Sequence, residues 1–397
     1  MPKSSGSAPR RFSERFGMLP ASFKGSGILV HCVSVGELNA SVHLVNKLMK
    51  AYPSMSITLT TTSTTGAQLA YNLYKDSVQH AFLPFDLPFF MNRFLAKLKP
   101  KLVLVTEVEV WPNMLRYCAR HGIRTALINA RISSESLPTY KRFGFLLRPA
   151  LRSFDVICAQ SQNAYDNFKA LGVYKSQLRL TNNMKFDLTP SDDDAQKAEH
   201  LLSRYKLAPD ATWLAASTHE PEELFVLSVY QKALKQHPHL KLVIVPRHPH
   251  RFEQVYLAIK SMGLSVARFS DELTSDSQVI LIDTMGYLTP CYRICSFAFI
   301  GGSIADKGGH NALEGAMYAK PMMMGPSIFN NPGIVELLTQ RSALILIEDE
   351  AACERVLLDF MASPARAIEQ GRAGKKVLEE NGGAVDKTFD LVTSLLQ

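Results

Sequence analysis

Short apolar runs alternate with stretches of helical periodicity along most of the chain. In the first half the runs are ILVHCVSV (28–35), SITLTT (56–61), HAFLPF (80–85), KLVLVTE (101–107), TALINAR (125–131), VICAQ (156–160) and QLRLTNN (177–183). After a polar stretch they resume as TWLAASTH (212–219), LKLVIVPRH (240–248), VILID (279–283), FAFIGG (297–302), PMMMGP (321–326) and ALILIED (343–349). Strands that alternate with helices predict parallel sheets covered by helices on both faces.

The length of the chain divides this series into two domains. With 397 residues it exceeds the size at which one hydrophobic core usually stops growing. We therefore predict an α/β protein with two Rossmann-like, doubly wound parallel-sheet domains. The predicted parts are a basic N-terminal segment (1–24), a first domain (25–190), a linker (191–210), a second domain (211–365) and a C-terminal helix (366–397) that packs back on the first domain.

The amino-acid composition, the cysteines and the charge limit the class of protein to which the chain can belong. Hydrophobic residues make up 46% and charged residues 20%, which is ordinary for a globular chain. The six cysteines are scattered and form no zinc pattern, so we interpret them as reduced, and we predict no metal site. The net charge is +8, and the first 24 residues include Lys3, Arg10, Arg11 and Arg15. That segment is either a solvated basic tail or a surface for anionic lipid or nucleic acid. No apolar run is long enough for a transmembrane helix.

Ligands of doubly wound sheets bind beyond the carboxyl ends of the strands, so the residues that follow the apolar runs are the candidates for chemistry. In the second half, Pro246 and Arg247 end one run, and the Arg247 guanidinium is suited either to a phosphate or to a surface salt bridge. Met285, Gly286 and Tyr287 form a turn after another run, which is either a base-reading loop or an ordinary turn.

The stretch GGSIADKGGHNALE (301–314) follows a third run. Its glycines allow close backbone approach, and a helix start at His310 or Asn311 would leave amides for an anion. Glu314 is then either a ligand of the bound group or the partner in a capping box, and the spacing does not decide between them. The absence of G-x-G-x-x-G and Walker A motifs disfavours dinucleotide and ATP binding.

In the first half, acids and bases follow the apolar runs. Glu37 lies where the first strand turns into its helix, so it is either a general base or a surface carboxylate that stabilises the helix dipole with a lowered pKa. Glu107 and Glu109 end another run, and we expect them to point to opposite faces of the sheet, so that at most one of them faces a cleft. Arg131 and Lys185 end two further runs. This layout is typical of a transferase with a nucleotide on one domain and an acceptor on the other.

Ten ordered blocks resemble the 3-deoxy-D-manno-octulosonic acid (Kdo) transferases of glycosyltransferase family 30. They are HCVSVGE, LPFDLP, TEVEVWPN, NARIS, NMKFD, STHEPEE, VPRHPHRF, DTMGYL, FIGGS and GGHNALE, and they cover about residues 10–390. The resemblance implies a GT-B fold whose two domains face a central cleft. It also implies an inverting enzyme of lipopolysaccharide inner-core synthesis, with CMP-Kdo as donor, a lipid A precursor (lipid IVA) as acceptor and no cofactor.

The resemblance also implies roles for individual residues. Glu37 would be the general base, and Glu107 and Lys185 would stabilise the transition state. The CMP contacts would fall on Pro246, Arg247, Met285, Gly286, Tyr287, Asn311, Ala312, Leu313 and Glu314.

The resemblance has consequences for the location of the protein as well. We expect it at the cytoplasmic face of the bacterial inner membrane, with the basic N-terminal segment against anionic lipid and no nucleic-acid partner. The family's N-terminal apolar anchor is missing from this chain, Asn182 replaces the usual glycine before N-x-KFD, and Asn331 replaces a frequent aromatic. Two alternatives are a nucleotide-sugar epimerase of the same architecture and a non-catalytic protein that binds CMP or lipid.

Overall fold

The computed structural model describes residues 8–208, 210–271 and 276–397, which form two compact units. The first unit comprises residues 1–187 and 381–397, and the second comprises residues 188–380. The two units contain one parallel sheet each, and both sheets have seven strands. This α/β architecture, with two Rossmann-like sheets, is the fold class that the alternating pattern predicts.

The first unit is built on a sheet with the strand order β3-β2-β1-β4-β5-β6-β7. Its strands are β1 (Ile28–His31), β2 (Ile57–Thr61), β3 (Gln79–Phe82), β4 (Leu102–Thr106), β5 (Arg124–Ala130), β6 (Val156–Ala159) and β7 (Leu178–Leu180). Its helices up to the end of the sheet are α1 (Val35–Ala51), α2 (Thr64–Tyr74), α3 (Pro88–Leu98), α4 (Pro112–Arg120), α5 (Leu137–Arg142), α6 (Gly144–Leu151) and α7 (Gln162–Ala170). Short 3-10 helices span Ala8–Phe16, Lys175–Gln177 and Met184–Phe186.

The second unit repeats the plan with the strand order β10-β11-β9-β8-β12-β13-β14. Its strands are β8 (Thr212–Thr218), β9 (Lys241–Pro246), β10 (Val266–Arg268), β11 (Val279–Leu281), β12 (Phe297–Ile300), β13 (Met322–Met324) and β14 (Ile345–Leu346). Its helices are α8 (Asp192–Tyr205), α9 (Glu222–Leu234), α10 (Phe252–Ser261), α11 (Leu288–Ile294), α12 (Leu313–Met317), α13 (Pro332–Gln340), α14 (Glu350–Ala362) and α15 (Pro364–Asn381), with a 3-10 turn at Pro249–Arg251. The chain then returns to the first unit as α16 (Ala384–Ser394).

The central strands are largely apolar because both faces of each sheet are buried. In β1, Leu29 packs into the apolar layer on one face, while Ile28 and Val30 pack into the layer on the other. In the second unit, Trp213 and Leu214 of β8 divide in the same way. The strand order reverses between β1 and β4, and again between β8 and β12. Such a reversal opens a crevice at the carboxyl ends of the strands, where ligands of this fold class bind.

Two predicted segments differ in the structure. The stretch 191–210 was predicted as a linker, but it contains helix α8, because Ser191 caps it and three acidic residues favour its first turn. The stretch 366–397 was predicted as one helix, but it is divided between α15 and α16 at Gly383, which has a φ of 80°. The Asp187 carboxylate accepts hydrogen bonds from the amides of Gly383 and Val385, and α16 packs on α1 within the first unit.

Part of the basic N-terminal segment is bonded to the first unit. Arg11 is bonded to Glu14 and to the carbonyl of His80, and Arg15 donates to the carbonyls of Leu83 and Thr62. These two guanidinium groups therefore hold the 3-10 helix Ala8–Phe16 on the first unit. Lys3 and the side chain of Arg10 lie outside the described part of the chain.

Candidate active site

Glu37 lies in the first turn of α1, at the carboxyl end of β1. Ser34 is the N-cap of this helix, and its hydroxyl donates to Glu37 Oε1 over 3.1 Å. Glu37 Oε2 accepts a hydrogen bond of 2.8 Å from the amide of Val33 and another from the Thr106 hydroxyl of β4. Glu37 is only 8% exposed. It is therefore a buried carboxylate at the sheet reversal, and the interpretation as an exposed, dipole-stabilising surface residue is wrong.

Two further carboxylates follow β4. Glu107 is half-buried and has a φ of 55°, so the extended backbone ends at Thr106. Glu109 lies close enough to Glu37 and Glu107 for their negative charges, after burial, to raise the pKa of its carboxyl group. The expectation that Glu107 and Glu109 point to opposite faces is wrong, because side chains alternate from one residue to the next and residues two apart share a face.

Lys185 reaches the same carboxylates from the 3-10 helix Met184–Phe186. The Asn129 side chain accepts a hydrogen bond of 3.0 Å from the amide of Met184, and this bond holds the short helix against the end of β5. Asn182, which stands where the family usually has glycine, has a φ of 71°. Asparagine tolerates this left-handed conformation better than most residues, so the turn keeps its shape without glycine.

Burial, neighbouring charges and hydrogen bonds together determine the pKa values of Glu37 and Lys185. Burial raises the pKa of Glu37, and the nearby charge of Glu107 raises it further, while the hydrogen bonds from Thr106, Val33 and Ser34 lower it. Burial lowers the pKa of Lys185, and Glu107 and Glu37 oppose that shift. A carboxylate with a raised pKa beside a partly desolvated ammonium group is suited to proton transfer near neutral pH.

In the second unit, Arg247 follows β9, and its amide donates to the carbonyl of Thr218 over 3.0 Å. This bond places Arg247 beside the end of β8, where His219 begins the turn into α9. His219 Nε2 lies 2.9 Å from His310 Nε2, which belongs to the loop after β12. Burial, together with the neighbouring His219 and the positive charge of Arg247, lowers the pKa of His310 to about 3. Arg247 and the two imidazoles thus share one neighbourhood at the second sheet reversal.

A buried carboxylate, Glu222, organises the glycine-rich loop after β12. Glu222 is 0% exposed, and it accepts a hydrogen bond of 2.9 Å from the amide of His219. It also accepts hydrogen bonds from four consecutive amides, those of Gly302, Ser303, Ile304 and Ala305. The amide of His310 donates to the carbonyl of Gly301. The expectation that the His310 amide is available to an anion is therefore wrong.

The helix after this loop begins later than predicted. Helix α12 starts at Leu313, with Ala312 as N-cap, because the Asn311 side chain instead accepts the amide of Leu313 over 3.2 Å. Within the described residues, the Glu314 carboxylate accepts no protein hydrogen bond, so it does not act as a capping-box partner. Burial raises the pKa of Glu314 to about 7, Arg247 opposes the shift, and Asp194 of α8 adds to it. Ala312 and Leu313 are buried.

The turn after β11 presents the remaining candidates. Met285 is 58% exposed, Gly286 has a φ of 85°, and Tyr287 is the N-cap of α11. The Tyr287 ring packs on Phe269. The ammonium nitrogen of Lys197 from α8 lies over the same Tyr287 ring, 5.3 Å from its centroid. Helix α8 therefore packs beside this turn and supplies a cation to it. Pro246 is buried at the end of β9.

No group of three or more His, Cys, Asp or Glu side chains in the described ranges could hold a metal ion. The six cysteines are buried and unpaired. Among those same ranges, no helix is both long and apolar enough to cross a membrane.

Known proteins resemble the chain over nearly its whole length. Residues 10–188 match the family described as 3-deoxy-D-manno-octulosonic-acid transferase (kdotransferase). Over 393 residues the chain is 35% identical to 3-deoxy-D-manno-octulosonic acid transferase of Haemophilus influenzae, and the match covers 98% of this chain and 92% of that protein. The chain belongs to the Kdo transferase family. It is therefore a glycosyltransferase.

Further comparisons agree with this membership. The transferase of the same name from Bordetella pertussis is 29% identical over 401 residues, which cover 98% of this chain and 92% of that protein. UDP-N-acetylglucosamine 2-epimerase of Neisseria meningitidis bound to UDP-GlcNAc superposes with a TM-score of 0.57 at 12% identity, over 94% of this chain and 99% of that one. At this identity the epimerase shares the GT-B-like fold alone. The epimerase alternative is not favoured, because the high sequence identity is to transferases.

The sequence does not single out two residues of this Kdo transferase that the structure brings to the second site. Glu222 and His219 lie in the STHEPEE block without an assigned role, whereas Glu109 is named beside Glu107. A signal existed, because an acid-rich block directly after an apolar run is where a helix starts at the sheet edge. The contacts between β8 and the loop after β12 depend on strand order, and local sequence does not encode that order.

Proposed function

We propose that this Kdo transferase takes Kdo from CMP-Kdo and transfers it, with inversion, to a hydroxyl of a lipid A precursor such as lipid IVA. The observation that carries the proposal is the buried Glu37 carboxylate at the first sheet reversal, with Glu107 and Lys185 beside it. A base with a raised pKa in this position can accept the proton of an attacking hydroxyl near neutral pH.

The proposed reaction exchanges two bonds at the anomeric carbon of Kdo. The acceptor oxygen forms a bond to that carbon from one side and loses its proton to Glu37. The bond from the carbon to the phosphate oxygen breaks on the other side, and its electron pair stays on the departing CMP. Positive charge develops on the sugar and negative charge on the phosphate. Glu107 would stabilise the first, and Lys185 would neutralise the donor carboxylate or the phosphate.

The second unit would bind the CMP part of the donor. Arg247 offers a fixed fork of donors for the phosphate, and the Met285–Tyr287 turn can contact the cytosine through its exposed backbone. The Glu314 carboxylate, which has no protein donor among the described residues, is suited to the ribose hydroxyls. A monophosphate leaving group held by such cations has little need of a divalent ion. We therefore propose that the enzyme works without a cofactor, and added chelator should leave the rate unchanged.

A lipid acceptor would account for a group of exposed aromatic side chains on the first unit. Phe12, Phe85 and Phe89 are 57%, 48% and 70% exposed, and they are joined through ring contacts with Phe16 and Phe90. Large exposed apolar patches mark interaction or membrane surfaces. We propose that this patch, and not the pair Arg11 and Arg15, contacts lipid at the cytoplasmic face of the inner membrane. Co-sedimentation with anionic vesicles should weaken when Phe89 is changed to Ser.

One incubation tests the proposed function directly. Protein, CMP-Kdo and lipid IVA are mixed, and the lipid is analysed by mass spectrometry for a gain of one or more Kdo units. CMP release should require the lipid, because transfer needs the acceptor hydroxyl. Release of CMP without lipid would favour an epimerase-type or hydrolytic reaction, and no release with lipid present would leave a binding protein.

A further inference from the structure

Eight backbone donors of the glycine-rich loop after β12 are already engaged. The Glu222 carboxylate accepts hydrogen bonds from four consecutive amides, and four later amides donate to groups within the loop or to Ser327. These eight amides are not available to a phosphate at this edge of the sheet, so the side chains beside them are the next candidates. The engaged amides are those of Gly302, Ser303, Ile304, Ala305, Lys307, Gly308, Gly309 and His310.

The side chains available beside Arg247 are two imidazoles in direct contact. His219 follows β8 and His310 precedes α12, so the pair joins the two central strands of the second sheet at their carboxyl ends. Their Nε2 atoms lie 2.9 Å apart, and their ring planes are within 8° of each other. One Nε2 must carry a proton and the other must not, because two bare nitrogens or two N–H groups would repel.

The proton between the two Nε2 atoms determines which of the two Nδ1 atoms carries a proton. A neutral imidazole carries one proton, so the ring that donates through Nε2 has a bare Nδ1. The ring that accepts at Nε2 must then carry its proton on Nδ1. Within the described residues, neither Nδ1 makes a hydrogen bond to protein. The pair consequently keeps one N–H donor that no protein group uses.

We propose that the His219–His310 pair belongs to the donor-phosphate site and donates this single neutral N–H to the phosphate of CMP, next to Arg247. The inference rests on the proposed function, because it takes a cytidine monophosphate as the ligand of the second unit. It adds two side chains to the phosphate site, one from the turn after β8 and one from the loop after β12.

The charges around the pair favour the neutral state in the free protein. Burial, with His248 and Arg247 acting in the same direction and Glu223 opposing them, lowers the pKa of His219 to about 4. Burial and the neighbouring His219 likewise lower the pKa of His310 to about 3. The charged or titratable groups that face the pair are Glu222, Glu223, Arg247, His248 and Arg251. Both rings are therefore neutral at pH 7.

A neutral donor in this place would assist transfer as well as binding. The phosphate of CMP-Kdo carries one negative charge as a diester, and it carries two when the bond to Kdo has broken. A fixed N–H beside that oxygen gains strength as the charge develops, so it stabilises the transition state more than the bound donor.

Calorimetric titration with CMP and with cytidine separates the phosphate contribution from that of the base and ribose. We expect His219→Phe and His310→Phe each to weaken CMP binding about tenfold and to leave cytidine binding unchanged. The double variant should bind CMP no more weakly than the weaker single variant, because either loss removes the hydrogen bond between the Nε2 atoms that holds the donor proton on Nδ1. His250→Phe is the matched control, since His250 stacks on His248 outside the pair, and it should bind both ligands normally.

Three outcomes contradict the inference. Losses that add in the double variant would mean that the two rings act separately. Equal losses for CMP and cytidine would mean that the pair only supports the fold. For the wild-type protein between pH 7 and 9, a ratio of CMP to cytidine affinity that falls steeply would mean a charged pair, and this measurement stands even if the variants do not fold. Failure of the wild-type protein to bind CMP at all would instead contradict the proposed function.

Discussion

Glu222 Oε1 accepts a hydrogen bond of 2.9 Å from the amide of Ser303, although 81 residues separate the two in sequence. With its bond to the amide of His219, the same carboxylate fastens the start of α9 to the loop after β12. A carboxylate that accepts several amides without solvent forms strong, charge-assisted hydrogen bonds. Glu222 is therefore a positioning residue for both histidines of the second unit.

Replacing Glu222 by Gln should destabilise the second unit. Glutamine keeps the shape, but it loses the charge and turns an NH2 group toward amides that need an acceptor. We expect a loss of about 3 kcal/mol and a melting temperature lower by about 10 °C. Differential scanning calorimetry measures the shift. Glu220→Gln is the control, because Glu220 lies in the same turn with its side chain 77% exposed, and an equal shift in that variant would contradict the assignment.

Glu37→Gln tests the proposed base. The amide keeps the volume of the carboxyl group but cannot accept a proton, so turnover should fall by about a hundredfold to ten-thousandfold. CMP binding, measured by calorimetry, should not change. Glu135→Gln provides a control on the exposed surface of the same unit. A Glu37→Gln protein that transfers Kdo at a normal rate would exclude Glu37 as the base.

Thr106→Val tests the electrostatics of Glu37. The Thr106 hydroxyl donates to the Glu37 carboxylate and lowers its pKa, so its removal should raise that pKa. The base must be ionised to work, so activity rises as the pH passes through this pKa. The acidic limb of the pH–rate profile should therefore move to higher pH in Thr106→Val, with the plateau rate retained. Thr65→Val, an exposed change in α2, should leave the limb in place. A limb that moves to lower pH would contradict the proposed hydrogen bond.

The sequence predicts the strands best where burial is complete. All residues of β1, β2, β4 and β6 are buried, and each of these strands falls within a predicted run, although β2 contains three threonines. The strand that was missed, β10, lies at the edge of its sheet, and only Ala267 of its three residues is fully buried. A short edge strand leaves little hydrophobic signal, so tertiary pairing with β11 decides its conformation.

The sequence predicts where the candidate site residues lie along the chain, but it does not predict which residues they contact. Glu37, Arg247 and Glu314 follow apolar runs, and the structure places each at the carboxyl end of a sheet. Local spacing could not indicate that Glu222 accepts hydrogen bonds from the amides of the loop after β12. These residues come together only because β8 and β12 are neighbours in the sheet. The left-handed conformation of Glu107 was equally hidden, since glutamate rarely adopts it and nothing in the sequence marks it.

Arg247→Ala should weaken CMP binding by about tenfold to a hundredfold, the usual contribution of a charged hydrogen bond to phosphate. Arg247→Lys keeps the charge but loses the planar fork, so it should recover only part of the affinity. Calorimetry with CMP and with cytidine should show that cytidine binding does not change. Arg366→Ala is the control, because the Arg366 side chain is 77% exposed in the same unit. An Arg247→Ala protein with normal CMP affinity would mean that Arg247 has a structural role.

Glu314→Gln should weaken CMP binding without unfolding the protein, because the carboxylate would accept from the ribose hydroxyls and no described protein group donates to it. The effect on stability has a definite sign. The pKa of Glu314 is raised to about 7 in the folded protein, so the folded state holds a proton that the unfolded state has already lost. The wild-type protein therefore loses stability relative to Glu314→Gln as the pH rises from about 4.5 to 7.

Thermal unfolding of the wild-type protein and of Glu314→Gln across this pH range measures the difference in stability. Glu336→Gln changes an exposed residue of α13, and its stability should follow that of the wild-type protein at every pH. In the same range, the affinity of the wild-type protein for cytidine should rise with pH, because only the ionised carboxylate accepts from both hydroxyls. The Glu314→Gln protein should lose this rise. If Glu314→Gln instead lowers stability at every pH and keeps its cytidine affinity, Glu314 serves the fold and the ribose has another partner.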